Sequence, residues 1–494
     1  PSGNLQLCLQ KRMRQTLAIV TISLFANYSH GQQRAEETAD QQHLTDELVS
    51  PGREDMNYDD AYENLMQVLS DPLDLNTVTS EELKLLHVLT DMQIQNIMRY
   101  RQDQGLFLDV HELQVIPEFD EAVISKLLPF IKVVDPGTQL NRSLLTRVFS
   151  SGNSYFVSRY ERTLERNKGH QTTAGMDPPY AGSPDKIYFR FRSSIAGDYS
   201  VGITGEKDAG EKMIFKPASH QWGFDFASWH VQLRNKGKLK NLIAGDYQAQ
   251  FGQGLVLGGA FGPGKGGESV SAVRRSNVGF RPYTSIHEGA YHRGLAISFS
   301  PMKYTEVSAF YSRARRDASP GNESDSVSIS SFQTSGYHRT NVELLNRKKL
   351  KEQNGGVVFR LNKNQLDVGV IINMIQFNIP VLRTPTLYNQ FVFRGSTNLN
   401  AGFFLNFSFD NIAFFSETAR SFPGGMGTVN GVLISTHPKL DLALVCRYYT
   451  QDFYSFHGNA FSENTSVQNE RGLYWGWKYR WSRRYSLNGS LDLF

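Results

Sequence analysis

The sequence has little cysteine and lacks long apolar stretches. Its 494 residues include only two cysteines, at positions 8 and 446, which excludes a disulfide framework and a multi-cysteine zinc site. No run of about 18 or more apolar residues occurs, so a bundle of membrane-spanning helices is excluded. Charged residues make up 20% and aromatic residues 12%. The chain is therefore too aromatic and too lightly charged for a disordered protein.

The N-terminal region has the pattern of an export signal. Met13 and Arg14 precede an apolar run over residues 16–26, and the small residues Ser29 and Gly31 follow. The run has the length of a signal-peptide core and is too short to span a bilayer. We interpret residues 1–12 as an upstream extension and residues 13–31 as a signal peptide. The alternative is a buried hydrophobic strand or helix.

Charge is distributed unevenly along the chain. Residues 32–70 form an acidic segment with a net charge of −8, and residues 71–134 carry −6. Residues 135–494 carry +15. Such asymmetry indicates contacts within or between chains, so we expect the acidic front part to dock on the basic remainder. The alternative is a pair of solvated surfaces of opposite sign.

Residues 71–134 have a helical pattern. Thr77, Thr79 and Ser80 are candidate N-caps for a first helix, and acids in its first turn suit the helix dipole. Asp91 is the predicted cap of a second helix, which Gly105 ends as the first residue beyond it. Short apolar stretches over residues 109–113 and 120–131 predict two further helical segments.

This pattern resembles the double helix-hairpin-helix domain of the competence-protein ComEA type. The matching residues are Leu75-Asn76-Thr77, Glu81-Glu82-Leu83, Ile97, Tyr100-Arg101, Gly105, Phe107, Leu113 and Leu128-Pro129-Phe130-Ile131. The resemblance implies hairpins with glycine turns whose backbone N–H groups contact a DNA phosphate.

The chain departs from that family at the two hairpin turns. The first turn contains Val88, Leu89 and Thr90, and the second contains Glu118, Phe119 and Asp120, so both lack glycine. Two carboxylates and a net charge of −6 oppose a polyanion, because DNA affinity comes mostly from Lys and Arg. We expect a protein-interaction or plug-like module rather than a DNA binder. The residues that could still contact DNA are Arg99, Arg101, Lys126 and Lys132.

After a linker at residues 135–149, residues 150–494 alternate between apolar and polar side chains. Period-two stretches of about ten residues predict strands with one apolar face. A soluble sandwich or propeller and an outer-membrane barrel both have this pattern. Strand length, aromatic strand ends such as Trp475 and Trp477, and alternating short turns and long loops favour the barrel. We expect roughly 14 to 16 strands.

The polar face of the predicted barrel is basic, which would favour anionic solutes. The candidate lumen residues are Arg159, Arg190, Arg192, Arg394, Arg447 and Glu417. Pairing of these arginines with acids such as Glu161 and Glu417 is the alternative to a role in solute selection.

Residues 244–267 are rich in glycine. Gly262, Gly264 and Lys265 suggest a phosphate loop, but the spacing is wrong and no Ser or Thr follows the lysine. We predict instead a strand corner followed by a flexible loop that folds into the lumen.

No catalytic arrangement is predicted. His287 with Glu288, His292, and Ser455 with His457 could be drawn into acid–base pairs, but no spacing demands that chemistry. The 12 histidines do not cluster as metal ligands. We therefore expect no enzyme, no cofactor and no metal.

The whole pattern resembles the uncharacterised outer-membrane helix-hairpin-helix proteins of Bacteroidetes-type bacteria. The predicted fold is mostly β with a small α domain: a helix-hairpin-helix module at 71–134 and an antiparallel transmembrane β-barrel at 150–494. Family members tend to be longer, which leaves room for further C-terminal strands. The resemblance implies an outer-membrane location with the module in the periplasm.

The expected partners are outer-membrane lipid and a periplasmic protein, with DNA disfavoured. The leading hypothesis is a non-enzymatic barrel that acts in transport, as a plugged pore or in partner docking. DNA uptake and an outer-membrane hydrolase are the alternatives.

Overall fold

The computed structural model describes residues 68–134 except 70 and 87. It also describes residues 153–494 except 166, 172–178, 217–220, 260–268, 290, 322–327, 364, 384–385, 388, 423, 438, 465 and 483–484. The predicted extension, signal peptide and linker, and nearly all of the acidic segment, lie outside the described residues. Among the described residues, no helix is long and apolar enough to cross a membrane.

The N-terminal module consists of short helices closed by a two-strand clasp. Its elements are α1 (Ser80–Lys84), α2 (Asp91–Asp103), a 3₁₀ turn at Val110–Val115, α3 (Glu121–Leu127) and a 3₁₀ turn at Leu128–Phe130. Strands β1 (Leu73–Asp74) and β2 (Ile131–Lys132) pair in parallel and join the two ends of the module. Its core contains Leu83, Ile97, Leu113, Leu127 and Phe130, which are fully buried.

Capping boxes set where the module's helices begin. Thr79 caps α1, and its hydroxyl accepts a hydrogen bond from the backbone N–H of Glu82. The predicted cap of α2 was wrong by one residue, because Thr90 is the cap and Asp91 is the first helical residue. The threonine hydroxyl takes the N–H of Gln93, which leaves the Asp91 carboxylate available for contacts outside the helix. Gly105 follows the helix with φ +99°, as predicted.

The remaining described residues form a barrel of mainly long strands. These are β3 (Asn153–Arg162), β4 (Asp185–Ile195), β5 (Tyr199–Lys207), β8 (Phe226–Lys236), β9 (Leu239–Gln250), β11 (His292–Phe299), β12 (Thr305–Pro320), β14 (Leu350–Lys363), β15 (Leu366–Val381), β16 (Gly395–Phe409), β17 (Ile412–Phe422), β18 (Met426–His437), β19 (Leu440–Tyr449), β20 (Glu470–Arg480) and β21 (Ser486–Leu493). The shorter β10 (Gly279–Pro282) pairs with β9, and β13 (Ile329–Gln333) pairs with β12. Outside the barrel, β6 (Phe215–Lys216) and β7 (Gln221–Trp222) form a small hairpin, and α4 (Asn341–Asn346) lies in the β13–β14 connection.

Each long strand pairs antiparallel with the next one in this series. The strand order closes into a barrel and places β21 beside β3. No residue-by-residue register joins those two strands within the described part of the chain. The predicted class, mostly β with a small helical module, is confirmed, and the number of long strands lies within the expected range.

The two faces of the barrel wall differ in the way the alternation predicts. On β16, Leu399, Phe403 and Phe407 point outward and are exposed, whereas Asn400 and Phe404 between them are buried inside. The same outward exposure of large apolar side chains recurs around the wall, for example at Trp229, Ile297, Ile372 and Leu444. An outer wall of apolar side chains is what a lipid-facing barrel presents.

Connections alternate in length around the barrel. Short turns join β4 to β5, β8 to β9, β14 to β15 and β16 to β17, and they lie at one end, because successive strands run in opposite directions. The opposite end carries the long connections β9–β11, β12–β14 and β19–β20. We call these the short-turn end and the long-loop end.

Several strand neighbours pair an aromatic ring with a glycine. Phe404 lies directly opposite Gly369, and Phe415 lies directly opposite Gly431. A Cβ atom added at either glycine would overlap the facing ring. The ring therefore occupies the space that a side chain would take on the neighbouring strand, a known way to cover glycine in a sheet.

We predict that Ile372→Arg destabilises the barrel in lipid by about 2–4 kcal/mol, the cost of a cation at mid-bilayer depth on an outward face. Ile372 lies in the middle of β15 and points outward. Urea titration in lipid vesicles, read by the heat-dependent gel mobility of the folded barrel, measures the change. The matched control is Leu387→Arg, which changes a loop side chain that is 91% exposed. Equal loss of folded barrel in both variants would contradict a lipid-facing wall.

Candidate functional site

The lumen is filled by the connection between β9 and β11. After β9 the chain turns inward, and Phe251, Leu255, Val256 and Leu257 are fully buried in the largest apolar cluster of the barrel. The cluster includes the inward rings of the wall, among them Phe415. The prediction that the glycine-rich segment folds into the lumen is confirmed for its described part, residues 251–259.

One carboxylate on the barrel wall holds this inward segment. Glu417 of β17 is completely buried. Its Oε2 accepts the backbone N–H groups of Gln253 at 2.5 Å and Leu255 at 3.1 Å, and its Oε1 accepts that of Val256 at 3.3 Å. Buried backbone donors need partners, and a carboxylate is a strong acceptor for several of them. Glu417 therefore fixes the path of the segment through the lumen.

Glycine is required where the segment passes the wall. Gly252 has φ +61°, and a Cβ there would lie 2.7 Å from the Glu417 carboxylate. A Cβ at Gly258 would lie 2.4 Å from the backbone nitrogen of Asn459. The glycine density thus serves close backbone approach inside a barrel, which agrees with the rejection of a phosphate loop.

The β19–β20 connection packs against the same segment. Gly258 donates to the carbonyl of His457 at 2.7 Å, and Asn459 donates to that of Gly254 at 2.8 Å. The Arg275 guanidinium also donates to the Asn459 carbonyl at 2.8 Å. The lumen filling therefore consists of two long connections joined by backbone hydrogen bonds.

The helical module lies against the short-turn end of the barrel. Glu82 forms an ion pair with Arg234 near the end of β8, with an N–O distance of 2.7 Å. Arg99 lies 3.8 Å from Asp410 in the β16–β17 turn, and both side chains are largely exposed. The Glu82–Arg234 pair is partly shielded from solvent and is therefore the stronger of the two contacts.

Glu81 joins the module to the lumen filling. Its carboxylate accepts the backbone N–H of Asn277 at 2.8 Å and lies 3.6 Å from the Arg274 guanidinium, both on the β9–β11 connection. Burial alone would raise the pKa of Glu81, but the charges of Lys84 and Arg274 and the Asn277 N–H lower it to about 2. Glu81 is therefore ionised at neutral pH and attracts the segment electrostatically.

The two hairpin turns differ in their surroundings. At the first turn Leu89 is buried, and Asp91 immediately after Thr90 lies 3.4 Å from Arg274 of the barrel filling, while Val88 is half-buried. At the second turn Glu118 has φ +70°, a backbone conformation that usually selects glycine. Phe119 is buried and Asp120 caps α3 by accepting the N–H of Val123.

The four basic residues considered for DNA contact lie in different environments. Arg101 donates to the carbonyls of Leu75 at 3.1 Å and Val78 at 2.8 Å, so its guanidinium supports the fold of the module. Lys132 pairs with Asp71 at 2.9 Å. Arg99 and Lys126 are exposed. The structure does not bring these side chains together into one basic surface.

The candidate lumen residues also lie in different environments. Arg190 and Arg192 on β4 are buried inside, and Arg190 donates to the carbonyl of Thr284 in the lumen filling. Arg447 is buried between Glu470 and Asp492, with which it forms ion pairs.

Two of the six arginine and glutamate candidates have other environments. Arg159 on β3 is half-exposed beside Glu161 at 3.6 Å. Arg394 differs from the expectation, because it lies in the connection before β16 and is exposed rather than on a lumen-facing strand position. Glu417 was expected to pair with an arginine, but its carboxylate accepts backbone N–H groups instead.

The histidines considered for acid–base chemistry are partly brought together. The rings of His292 and His457 lie 4.5 Å apart between centroids, and His457 Nε2 lies 3.1 Å from Glu352. Ser455 is hydrogen-bonded to the carbonyl of Val256 at 3.4 Å instead of to a histidine, and His287 is exposed. His292 is buried in the packed filling, and His457 and Ser455 are partly buried beside it.

At the long-loop end a histidine bridges two carboxylates. His338 is hydrogen-bonded to Asp225 and, at 2.7 Å, to Asp317, and its backbone N–H donates to Glu211 at 2.8 Å. Burial opposes its charge, but the hydrogen bonds to Asp225 and Asp317 raise the pKa of His338 to about 10. The charged imidazole thus joins the β5–β8 connection to β12. His338 also has spacings compatible with a metal ion in two groups, one with Glu211 and Asp225 and one with Glu288 and Asp317.

Sequence reasoning missed the residues that join module and filling. Arg274 and Asn277 follow the glycine-rich segment in a stretch without a recognisable motif. Glu81 and Glu82 were interpreted as first-turn acids and as part of the family resemblance, not as contacts to the barrel. The one available signal was the opposite charge of the two parts of the chain.

Comparison with known proteins supports the helix-hairpin-helix module. Residues 68–132 match the family model described as helix-hairpin-helix motif. No curated protein matches the chain. Among solved structures, an anion-selective porin from Comamonas acidovorans is 11% identical, with 69% of this chain and 88% of the porin covered and a TM-score of 0.31.

A variant of Rh. blastica porin is 8% identical, with 62% of this chain and 84% of the porin covered and a TM-score of 0.27. The ferric enterobactin receptor PfeA of Pseudomonas aeruginosa is 11% identical, with 62% of this chain and 56% of the receptor covered and a TM-score of 0.30. TM-scores this low support no conclusion about function. The barrel is established by the strand pairing of this chain itself.

We predict that Glu417→Gln lowers the free energy of unfolding by about 2 kcal/mol, because an amide cannot accept all the N–H groups that the carboxylate accepts. Residues 251–259 should also become sensitive to protease in the otherwise folded barrel. Glu161→Gln is the control, since that carboxylate forms an exposed ion pair with Arg159, which is worth at most about 1 kcal/mol. Unchanged stability and protection in the Glu417 variant would show that the segment is held by apolar packing alone.

We predict that the long-loop end loosens as the pH rises from 6.5 to about 10. Because the pKa of His338 is raised in the folded state, the charged imidazole stabilises the fold fully at pH values below 6.5, the ordinary pKa of histidine. This stabilisation is lost as the pH rises through about 10, the pKa of His338 in the folded protein. Protease sensitivity of residues 328–349 across this range measures the effect, and His338→Gln should abolish the pH dependence.

Two comparisons separate this effect from other titrations. Burial raises the pKa of Glu288 to about 8, so Glu288→Gln tests whether that carboxylate accounts for the transition. His287→Gln changes an exposed histidine nearby and should have no effect. A transition that persists in the His338 variant would contradict the assignment.

Proposed function

We propose that this protein is a non-enzymatic outer-membrane β-barrel that is closed at rest by two parts of its own chain. The β9–β11 connection fills the lumen, and the helix-hairpin-helix module covers the short-turn end. Transport through the barrel then requires the module to release the filling. The observation that carries this proposal is the hydrogen bond from the Asn277 N–H to Glu81, where module and filling meet.

Charge complementarity supports a module that docks reversibly. Glu81, Glu82 and Asp91 on the module face Arg234 and Arg274 on the barrel side. Ion pairs at an interface respond to salt and to competing charges. A module held in this way can be displaced by a partner or by a solute that binds the same groups.

The short turns also support an orientation. In bacterial outer-membrane barrels the short turns face the periplasm and the long loops face outward. The module at the short-turn end would then lie in the periplasm, where a periplasmic protein could reach it. On its residue pattern we further infer that the module is of the ComEA type and that the source is a Bacteroidetes-type bacterium.

The surroundings of the hairpins argue against DNA as the partner of the docked module. The first turn lies against Arg274 of the barrel side, and the second turn carries Glu118 and Asp120. A DNA phosphate at the first turn would have to displace the contact with Arg274. At the second turn it would have to approach the carboxylates of Glu118 and Asp120, which is electrostatically unfavourable.

We predict that Arg234→Glu raises the ion conductance of the barrel in planar lipid bilayers several-fold, because it places a carboxylate against Glu82 and repels the module. The double variant Glu82→Gln with Arg234→Glu should conduct less than the single variant. Glutamine removes the repelled charge and still accepts the capping N–H at this helix position. The control is Arg159→Glu, which changes an exposed arginine on β3.

A reversible cross-link tests the same geometry independently. A Cβ atom at Gly197 would lie 4.0 Å from the Cβ of Thr77, a spacing suited to a disulfide. In a background with Ser at both native cysteine positions, Thr77→Cys with Gly197→Cys should cross-link on oxidation and return the Arg234→Glu barrel to low conductance until it is reduced. Thr77→Cys with Gly237→Cys is the control, because Gly237 also has positive φ but no neighbour within 4 Å.

A failure to cross-link would contradict the docking of the module. A cross-link without any change in conductance would leave the module docked and would refute its role in closing the barrel.

A further inference from the structure

A cavity of about 130 Å³ lies between the module and the barrel wall. On the module side it is lined by Asp71, Glu82 and Leu86, and on the wall by Arg192, Arg234 and Arg281. Its volume is close to that of a protein cavity that can hold one benzene molecule. The cavity can therefore hold a small molecule rather than only a single water.

The acidic side chains around the cavity already have partners. Asp71 pairs with Lys132 at 2.9 Å, and Glu82 pairs with Arg234 at 2.7 Å. The lining contains three arginines, Arg192, Arg234 and Arg281, against these two acids, so it carries a net positive charge. Cationic groups that line one cavity repel each other, because the surrounding protein screens charge less than water does.

Arg192 has an unused hydrogen-bond donor. It is 6% exposed, its Nε donates to the Ser200 hydroxyl at 3.2 Å, and its Nη1 has no hydrogen-bond partner among the described residues. A buried guanidinium with an unused donor is costly unless an acceptor is supplied. The hydroxyl group of Ser194 also lines the cavity and offers a further donor.

We propose that this cavity binds a small oxyanion, a phosphate or carboxylate group, with Arg192 as its main ligand and Arg281 as the second cation. Planar guanidinium groups recognise both kinds of anion through paired hydrogen bonds. The binding site is made of both module and wall, so an anion in it stabilises the docked module by mass action. Binding itself does not depend on the proposed closure of the barrel, and only its effect on conductance does.

The experiment measures binding of inorganic phosphate to the whole protein in detergent by calorimetry. Acetate in a second titration separates a phosphate from a carboxylate preference, and chloride at equal ionic strength and pH shows the effect of screening alone. We expect saturable binding of phosphate or acetate that chloride does not reproduce. Arg192→Gln should weaken it about tenfold or more, the effect of losing charge-assisted hydrogen bonds.

Arg281→Gln is the second variant, in case the first fails to fold, and should also weaken binding. Arg159→Gln is the matched control, because it removes an equal charge from an exposed position outside the cavity. The proposal is overturned if neither anion binds more than chloride does, or if the Arg192 and Arg281 variants bind as tightly as the control. Phosphate or acetate binding that also reduces the conductance of the unsubstituted barrel would extend the inference to regulation.

Discussion

A chain that turns into the lumen of a barrel takes its backbone N–H groups away from water, and those groups must find acceptors. The Glu417 carboxylate supplies them for one side of the segment at residues 251–259. On the other side the Glu81 carboxylate of the module accepts the N–H of Asn277 from the same connection. Two acids from distant parts of the sequence thus hold one loop, and the filled lumen and the docked module both depend on this requirement.

Electrostatics accounts for where the module lies. An acidic module next to a basic barrel could dock in many orientations if only net charge mattered. The ion pair between Glu82 and Arg234 and the contacts of Arg274 with Glu81 and Asp91 select one of them. Specific pairs fix the orientation, whereas overall charge contributes mainly to the attraction at longer range.

The sequence predicted what depends on local patterns. Alternation placed Arg190 and Arg192 inside and Phe191 outside, because side chains on neighbouring positions of a strand point to opposite faces. Contacts between distant segments could not be predicted in this way. Glu417 and its donor Gln253 are 164 residues apart, and no local pattern indicates that a lumen acid will accept N–H groups instead of pairing with an arginine. Arg394 was misplaced because a strand boundary, not the alternation, decides its environment.

The rings that lie over glycines have a consequence for how the barrel forms. Phe404 fits over Gly369, and Phe415 fits over Gly431, only when the neighbouring strands are in the observed register. A shift of two residues keeps every side chain on its proper face, so apolar patterning alone would tolerate that error. The shift would move each ring off its glycine and against a larger side chain. The pairs therefore disfavour a strand that is misaligned by two residues.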